Sequence, residues 1–344
     1  LIIFFSMLGY VAAQFTASGK AFEAIFGWPY VTGVLLGAVI IIIYTLMGGY
    51  FAVVWTDLIQ GLLMAFGLII MPVIAFFAVG GADAVAAAAP YPEFFKWGGG
   101  ATGSALLGSV VGLLGIGLGY PGQPHVITRY MGAADEAVIQ RGKIISMVWG
   151  IAVFGGAVML GLVGRALIPE LDDPEHLFPN AALMLLHPIL AGIMLSAILS
   201  AIMSTASSQL LVAASSVAKD LYEGLLGKDP GEKKLLTLSR ITVLVLGTLA
   251  ILFALAEVRV IFWFVLFAWS GMGAAFGPIM LLSVSKFKVN FWGALLCMIT
   301  GFGVTLVWKL TGLSESIIYE LVPAFFAALL MAWLGTKITE LKKR

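Results

Sequence analysis

Charged side chains are scarce in this chain. Asp, Glu, Lys and Arg together make up 11 % of the 344 residues, whereas hydrophobic residues make up 61 % and the mean hydropathy is +1.07. A soluble globular domain carries charge on about a quarter of its residues. The composition therefore excludes a water-soluble domain and predicts a chain that lies mostly within a lipid bilayer. The net charge of +1 gives no reason to expect a nucleic acid as a partner.

Cysteine and the common cofactor motifs are scarce as well. Cys297 is the single cysteine, which excludes a disulfide within the chain. His125 and His187 have no partners at the spacing of metal ligands, so no metal cluster is expected. No glycine-rich loop ends in Lys-Ser or Lys-Thr, which argues against direct use of ATP. Because the sequence also shows no nucleophile paired with a base, we expect neither an enzyme nor an organic cofactor.

Long apolar runs are abundant instead. Ten runs are long enough to cross a bilayer as helices, which takes about 20 residues each. They lie near residues 1–17, 30–50, 52–79, 103–130, 143–168, 182–218, 237–256, 258–286, 290–312 and 315–337. Leu1 stands inside the first run, with no Met or basic segment before it, so we expect a fragment that lacks the N-terminal part of a longer protein.

Basic residues in the loops predict the orientation in the membrane. Loops on the cytoplasmic side of a membrane carry an excess of Lys and Arg. Placing the C-terminal tail KITELKKR in the cytoplasm puts 14 of the 19 basic residues on that side and 5 on the other. The loop ELDDPEH, at residues 170–176, then lies outside and is acidic. We therefore expect a multi-pass protein of the cell membrane with a cytoplasmic C-terminus.

The fourth apolar run contains helix-breaking residues. The stretch GLLGIGLGYPGQPH, residues 112–125, holds five glycines and two prolines. Each proline removes a backbone donor, and unpaired backbone groups within a membrane are tolerated only against protein or a water-filled cavity. Broken helices of this kind form binding sites in many secondary transporters. A proline kink with a packing role is the alternative, but glycines on both sides of Tyr120 favour a site.

The sixth run carries an unusual number of hydroxyl groups. The stretch SAILSAIMSTASSQLLVAASS, residues 196–216, has eight Ser and Thr residues, of which four recur at every fourth position. This spacing puts them along one side of a helix. Positions 201, 204 and 205 follow the i, i+3, i+4 spacing and so face one point. Either a neighbouring helix packs closely against these small residues or something polar binds to them.

Asp57 is the carboxylate that lies most clearly within a predicted span. Ionisable groups inside spans are rare and indicate functional sites. The alternative is a structural role, because Asp57 falls in the first two turns of its helix and would interact favourably with the helix dipole there. The sequence does not decide between the two interpretations.

Four stretches carry a family resemblance. They are YTLMGGYFAVVWTDLIQ (44–60), GLGYPGQPHVITRYM (117–131), LSAILSAIMSTASSQLLVAASSVAKDLY (195–222) and FAWSGMGAAFGPIML (267–281). With them the chain resembles the sodium:solute symporter family, nearest to its bacterial sodium/proline members. The resemblance implies an all-α membrane fold with a core of two inverted five-helix repeats. It implies one transporter domain over 1–344, with core helices three to ten at about 1–286, two additional helices at about 290–337 and a basic tail at 338–344.

The resemblance also implies one sodium site and leaves a second one open. In the family the first site lies between the first and eighth core helices, and the matching ligands here are the carbonyl of Ala201 and the hydroxyls of Ser204 and Thr205. Some members are thought to hold a second sodium. The positions that match it are Asp57, Ser207 and Ser208.

For the organic solute, the resemblance points to aromatic side chains. Tyr10 and Tyr120 match the family's solute-binding positions, and Gln123 and Trp269 are further candidates in the matching stretches. Ile116 stands where the sodium/proline members have a Trp, which argues against proline.

The implied function is sodium-coupled symport of a small organic solute, with proline or a related amino acid as the leading candidate. Another small carboxylate or solute, and a proton in place of sodium, are the alternatives. A channel would need a continuous polar pathway, which the sequence does not show. The expected partners are the solute, Na⁺ and the lipid bilayer, and the sequence does not indicate an oligomeric state.

Overall fold

The computed structural model of the chain describes residues 1–225, 227, 231–256 and 261–341. Across these ranges the regular elements are all helical, and no strand is present. The α-helices are α1 (Ile2–Phe26), α2 (Tyr30–Ala78), α3 (Ala82–Ala87), α4 (Gly103–Gly115), α5 (Pro124–Met131), α6 (Glu136–Leu167), α7 (Leu177–Leu185), α8 (Pro188–Ser215), α9 (Gly231–Leu255), α10 (Ile261–Ser283), α11 (Phe291–Leu310), α12 (Leu313–Ser316) and α13 (Leu321–Leu341). Short 3₁₀ segments lie at Trp97–Gly100, Ile116–Gly122 and Pro174–His176, and a π-helical segment lies at Ser216–Leu225.

The number of membrane spans agrees with the ten apolar runs. In the part of the chain that is described, nine helical stretches are long and apolar enough to cross a membrane. One of them is α2, whose 49 residues would extend roughly 73 Å, more than twice the thickness of the hydrocarbon core. Gly49 interrupts α2 with φ 57° and ψ −161°, a conformation that is essentially restricted to glycine. The two limbs of α2 therefore correspond to the two predicted runs at 30–50 and 52–79.

Several helix ends differ from the hydropathy prediction because polar caps set them. Helix α6 begins at Glu136 rather than at 143, since the side chain of Asp135 accepts a hydrogen bond of 2.8 Å from the amide of Val138. The predicted run at 182–218 is divided into α7 and α8. Pro188 starts α8, a position that proline favours, and the His187 side chain accepts a hydrogen bond from Ile189 there.

The chain separates into two compact units. The first consists of Leu1–Tyr10, Gly100–Gly132 and Val260–Arg344, and the second of Val11–Gly99 and Ala133–Arg259. Each unit combines segments that are distant in sequence. The expectation of a single transporter domain over residues 1–344 stays a prediction.

In the first unit, α10, α11 and α13 pack together through small residues. Their buried core includes Ala274, Ala324 and Phe325. A side chain at Gly301 would overlap the backbone of Ala274, so glycine is what allows α10 and α11 to approach so closely. Such contacts between small residues are a usual way in which helices associate in lipid, where burial of apolar surface gives little driving force.

In the second unit, α2 packs against α6, α7, α8 and α9. The buried core of this group includes Met71, Leu160, Val163, Met194 and Leu195. A Cβ at Gly156 would overlap the carbonyl oxygen of Leu68, so the backbones of α2 and α6 are in contact at this point.

An ion-pair cluster lies in the same unit. The Lys20 ammonium on α1 lies 2.9 Å from a carboxylate oxygen of Asp173 and also binds Glu175. Burial by itself raises the pKa of Asp173, but hydrogen bonds from Lys20 and from the amide of Glu175 bring that pKa below its ordinary value of 3.8. The cluster ties the predicted outer loop to α1.

Candidate functional site

The hydroxyl-rich face of α8 is formed as the spacing predicts. The Ser204 hydroxyl donates a hydrogen bond of 3.2 Å to the carbonyl of Ala201, and both residues are half-buried. Thr205 lies beside them on the same helix and is also half-buried. The three positions thus present two hydroxyl oxygens and a carbonyl oxygen on one face of the helix. Hard cations prefer oxygen ligands of this kind, although the assignment to sodium stays a prediction.

The predicted second set of ligands is drawn from two helices. The Ser208 hydroxyl of α8 donates to a carboxylate oxygen of Asp57 on α2 at 3.1 Å. Ser207 is fully buried next to Ser208 and donates to the carbonyl of Ser204 at 3.2 Å. Since Asp57 bonds to another helix, its role is not limited to the dipole of its own helix. The structure therefore brings Asp57 and Ser208 together, with Ser207 adjacent.

Two residues near this pair were not singled out from the sequence. Tyr44 on α2 donates a hydrogen bond of 2.7 Å to the carbonyl of Met203, and Ser207 and Gln60 lie close to its hydroxyl. Gln60 is 9 % exposed. Its position three residues after Asp57 is the one sequence signal that could have indicated it, because that spacing puts both side chains on the same helix face.

The break in the fourth span is present in the first unit. Helix α4 ends at Gly115, a 3₁₀ segment follows, Gln123 is extended with φ −87° and ψ 110°, and α5 begins at Pro124. The Trp269 indole donates to the carbonyl of Ile116 at 3.0 Å. The Gln123 amide donates to the carbonyls of Gly119 and Trp269 at 3.1 and 3.0 Å. Side chains thus donate to backbone carbonyls on both sides of the contact between the broken segment and α10.

Glycines let the broken segment lie directly against α10. A Cβ on Gly122 would come within 2.7 Å of the amide nitrogen of Gly277, and a Cβ on Gly273 within 2.5 Å of the Cα of Gly119. The two backbones are therefore in contact. Any larger residue at these positions would push the broken segment away from α10.

Four of the five candidate solute residues meet at this break. Tyr120 is 47 % exposed, and its ring centroid lies 6.4 Å from that of Trp269. Ile116 is half-buried, while Gln123 is fully buried with its carbonyl oxygen unpaired among the described residues. Tyr10 is buried, and its ring lies edge-on to His125 with centroids 6.3 Å apart. Trp269 and Gln123 use their donors to hold the backbone, so their solute role stays a prediction.

A buried carboxylate in the first unit was missed by the sequence analysis. Glu320 precedes α13, is 3 % exposed and has no Lys, Arg or His within ion-pair distance in the part of the chain that is described. Its hydrogen-bond partner is the Ser270 hydroxyl of α10 at 3.2 Å, and the same hydroxyl contacts that of Tyr319 at 2.7 Å. Glu320 lies near the start of the predicted run at 315–337, so the rule for ionisable groups within spans that was applied to Asp57 could have indicated it.

These observations define a class of protein. Multiple apolar spans, one broken within its membrane length, and a buried oxygen-lined helix face are features of secondary transporters. The family model of the sodium:solute symporter family matches residues 1–301, and the chain belongs to that family. Its members are transporters rather than enzymes.

Two relatives and one solved structure show the extent of the similarity. The high-affinity proline transporter PutP of Bacillus subtilis is 39 % identical, over 99 % of this chain and 72 % of the relative. The sodium/proline symporter of Escherichia coli K12 is also 39 % identical, over 94 % of this chain and 65 % of the relative. The substrate-bound outward-open structure of a Na⁺-coupled sialic acid symporter has a TM-score of 0.74 at 21 % identity, over 98 % of this chain and 74 % of that one. At this identity the solved structure shows the fold alone.

Proposed function

We propose that this chain forms part of a sodium-coupled symporter that takes up proline or a closely related small amino acid by alternating access. The observation that carries the proposal is the oxygen face of α8, where Ser204, Thr205 and the Ala201 carbonyl converge. Family membership and the printed names of the relatives support the choice of ion and solute.

The donor set of the first site suits an ion that must be released in every cycle. It contains hydroxyl and carbonyl oxygens without a carboxylate, so binding is weak enough for sodium to leave. Moving one positive charge down about 100 mV releases about 2.3 kcal/mol. A tenfold sodium gradient adds about 1.4 kcal/mol, and together these sustain roughly 500-fold accumulation of a neutral solute. Sodium and solute must then raise each other's affinity equally.

The second site adds a carboxylate. Asp57, Ser207 and Ser208 offer a charged oxygen and two hydroxyls where α2 meets α8. A second sodium bound there would increase the driving force per solute and make uptake depend on sodium with a Hill coefficient above one.

The solute is expected near the broken segment. A tyrosine ring packs against the apolar face of a small ligand while its hydroxyl bonds a polar end, which suits Tyr10 and Tyr120. Ile116 stands where the sodium/proline members have a Trp. Its side chain has no N–H group, so it cannot donate a hydrogen bond to the solute as an indole can. That difference keeps another small carboxylate as the second candidate solute.

The first site can be tested in the full-length protein reconstituted in liposomes. We expect Ser204→Ala and Thr205→Ala each to raise the sodium concentration for half-maximal uptake by roughly tenfold. Ser196→Ala is the matched control, because Ser196 lies on the same helix but is exposed and bonds its own backbone at Gly192. Uptake with an unchanged sodium dependence in both site variants would refute the assignment.

A further inference from the structure

The side-chain amide oxygen of Gln60 is close to the proposed second sodium site, but it is not among the ligands assigned to that site. The residue is 9 % exposed, and its Oε1 atom has no hydrogen-bond partner among the described residues. A buried amide oxygen without a donor is unfavourable, and more so in a membrane protein, where bulk water is distant. Such an oxygen indicates a ligand that is not part of the chain.

Tyr44 determines which end of the amide is free. The tyrosine hydroxyl has a single proton, which it donates to the carbonyl of Met203 at 2.7 Å. The Gln60 side chain lies close to the same hydroxyl, and its Oε1 atom is the end without a partner among the described residues. Because the hydroxyl can only accept from Gln60, the NH₂ group must face Tyr44 and the oxygen must face away. The orientation of the amide thus follows from the hydrogen bonds.

The surroundings of Gln60 identify the kind of ligand. Asp57 lies three residues before Gln60 on the same face of α2, and Ser208 bonds Asp57 at 3.1 Å, with Ser207 adjacent to Ser208. The Ser207 hydroxyl donates to the Ser204 carbonyl and the Ser208 hydroxyl donates to Asp57, so both are oxygen-bearing side chains beside the carboxylate. A carboxylate, two hydroxyls and an amide oxygen together form a set of hard oxygen ligands for a small cation.

We propose that Gln60 is a further ligand of the cation held by Asp57, Ser207 and Ser208, and that Tyr44 is the positioning residue that turns the amide oxygen of Gln60 towards it. The inference rests on the second sodium site in the proposed function. Tyr44 contacts the backbone of α8 at Met203 and the side chain of Gln60 with one hydroxyl, so a displacement of α8 would also reorient this ligand.

The test uses the full-length protein in proteoliposomes, with sodium as the varied cation. We expect Gln60→Leu to raise the half-saturating sodium concentration roughly tenfold and to lower the Hill coefficient towards one, while the solute KM at saturating sodium stays within about twofold. Tyr44→Phe should produce a shift in the same direction. The double variant should be no worse than Gln60→Leu alone, since Tyr44 acts through Gln60.

Controls separate this inference from the site on which it rests. Thr56→Val, in the same turn of α2, removes a hydroxyl that bonds its own helix and should leave the sodium dependence unchanged. If Asp57→Asn shifts the sodium dependence but Gln60→Leu does not, Gln60 is not a ligand and the second site stands. If neither variant shifts it, the second site itself is overturned. If Gln60→Leu fails to accumulate, Gln60→Asn can replace it. Its side chain is one carbon shorter, so the amide oxygen is withdrawn from the cation, and its sodium dependence is compared with that of Asp57→Asn in the same way.

Discussion

Lys20 is an ionisable side chain at the end of a membrane helix, and two carboxylates from a distant loop surround it. Its side chain is 14 % exposed and those of Asp173 and Glu175 are 32 % and 27 % exposed. At this depth the pair is screened less than a surface ion pair. The contact therefore holds the loop at residues 170–176 in place.

Removing the ammonium group should release this loop in a pH-dependent way. We expect Lys20→Met to destabilise the protein by about 1 kcal/mol near pH 7, measured as the free energy of unfolding in detergent. Because the folded-state pKa of Asp173 is lowered, its contribution is fully present above its ordinary pKa of 3.8 and is lost as the pH falls through the folded value. The difference between Lys20→Met and the parent protein should therefore shrink below about pH 4.

A second lysine serves as the control for that experiment. Lys96 faces Glu93 at 3.8 Å with both side chains largely exposed, so Lys96→Met should have no measurable effect. Equal destabilisation by the two variants, or a difference that persists unchanged into acid, would mean that Lys20 acts through packing alone.

The sequence predicted site residues where local spacing carries the information. Ser204, Thr205 and Ala201 share a helix face by spacing, and the structure confirms that they are adjacent. Tyr44, Gln60 and Glu320 were missed because their roles depend on partners far along the chain. Tyr44 bonds a carbonyl 159 positions away, and no periodicity within α2 encodes such a contact.

At the scale of elements, the close packing of α2 and α6 depends on one glycine. A Cβ at Gly156 would overlap the carbonyl oxygen of Leu68, whereas a Cβ at the neighbouring Gly155 meets nothing within 4 Å. The obstacle at Gly156 is backbone, which cannot rotate aside as a side chain can. The two glycines therefore differ in role although they are adjacent.

This difference predicts opposite effects for two adjacent substitutions. Gly156→Ala should lower stability by about 1–3 kcal/mol, since α6 must move away from α2. Gly155→Ala should be neutral or stabilising by up to about 1 kcal/mol, because alanine is the better helix former. Thermal unfolding of the full-length variants in detergent would compare them directly. If Gly155→Ala is the more damaging of the two, the helices are not in contact where the structure places them.

Hydropathy predicted the number of membrane spans better than it predicted the ends of the helices. Apolar runs exist because spans must match the bilayer, so their count is encoded in composition. Helix ends such as that of α6 are set by Asp135 and the polar turn that follows it, which lie outside any apolar run. For the same reason, the predicted run at 182–218 gave no indication that α7 ends and α8 begins within it, at Pro188.

At the scale of the whole molecule, the distribution of basic residues predicts the side of the membrane on which each loop lies. Cys297 is the single cysteine and is fully buried. In a Cys297→Ala variant, any labelling by a thiol reagent therefore comes from the introduced cysteine. We expect Glu170→Cys to react with a membrane-impermeant maleimide in intact cells, and Lys288→Cys to react only after permeabilisation. Both positions are exposed. Labelling with the opposite sidedness would reverse the orientation proposed for the C-terminus.

Gly49 has a consequence for how the protein is made. Gly49, whose φ is positive, takes the place of a loop between two spans. The two limbs of α2 are therefore not separated by a polar segment that could hold the first limb in place while the second is synthesised. We therefore expect the two limbs to enter the bilayer together as one hairpin. Any other residue at position 49 would be strained in this conformation, and an unbroken helix of 49 residues would be longer than any bilayer is thick. We therefore expect the glycine to matter during insertion, before there is a folded protein for it to stabilise.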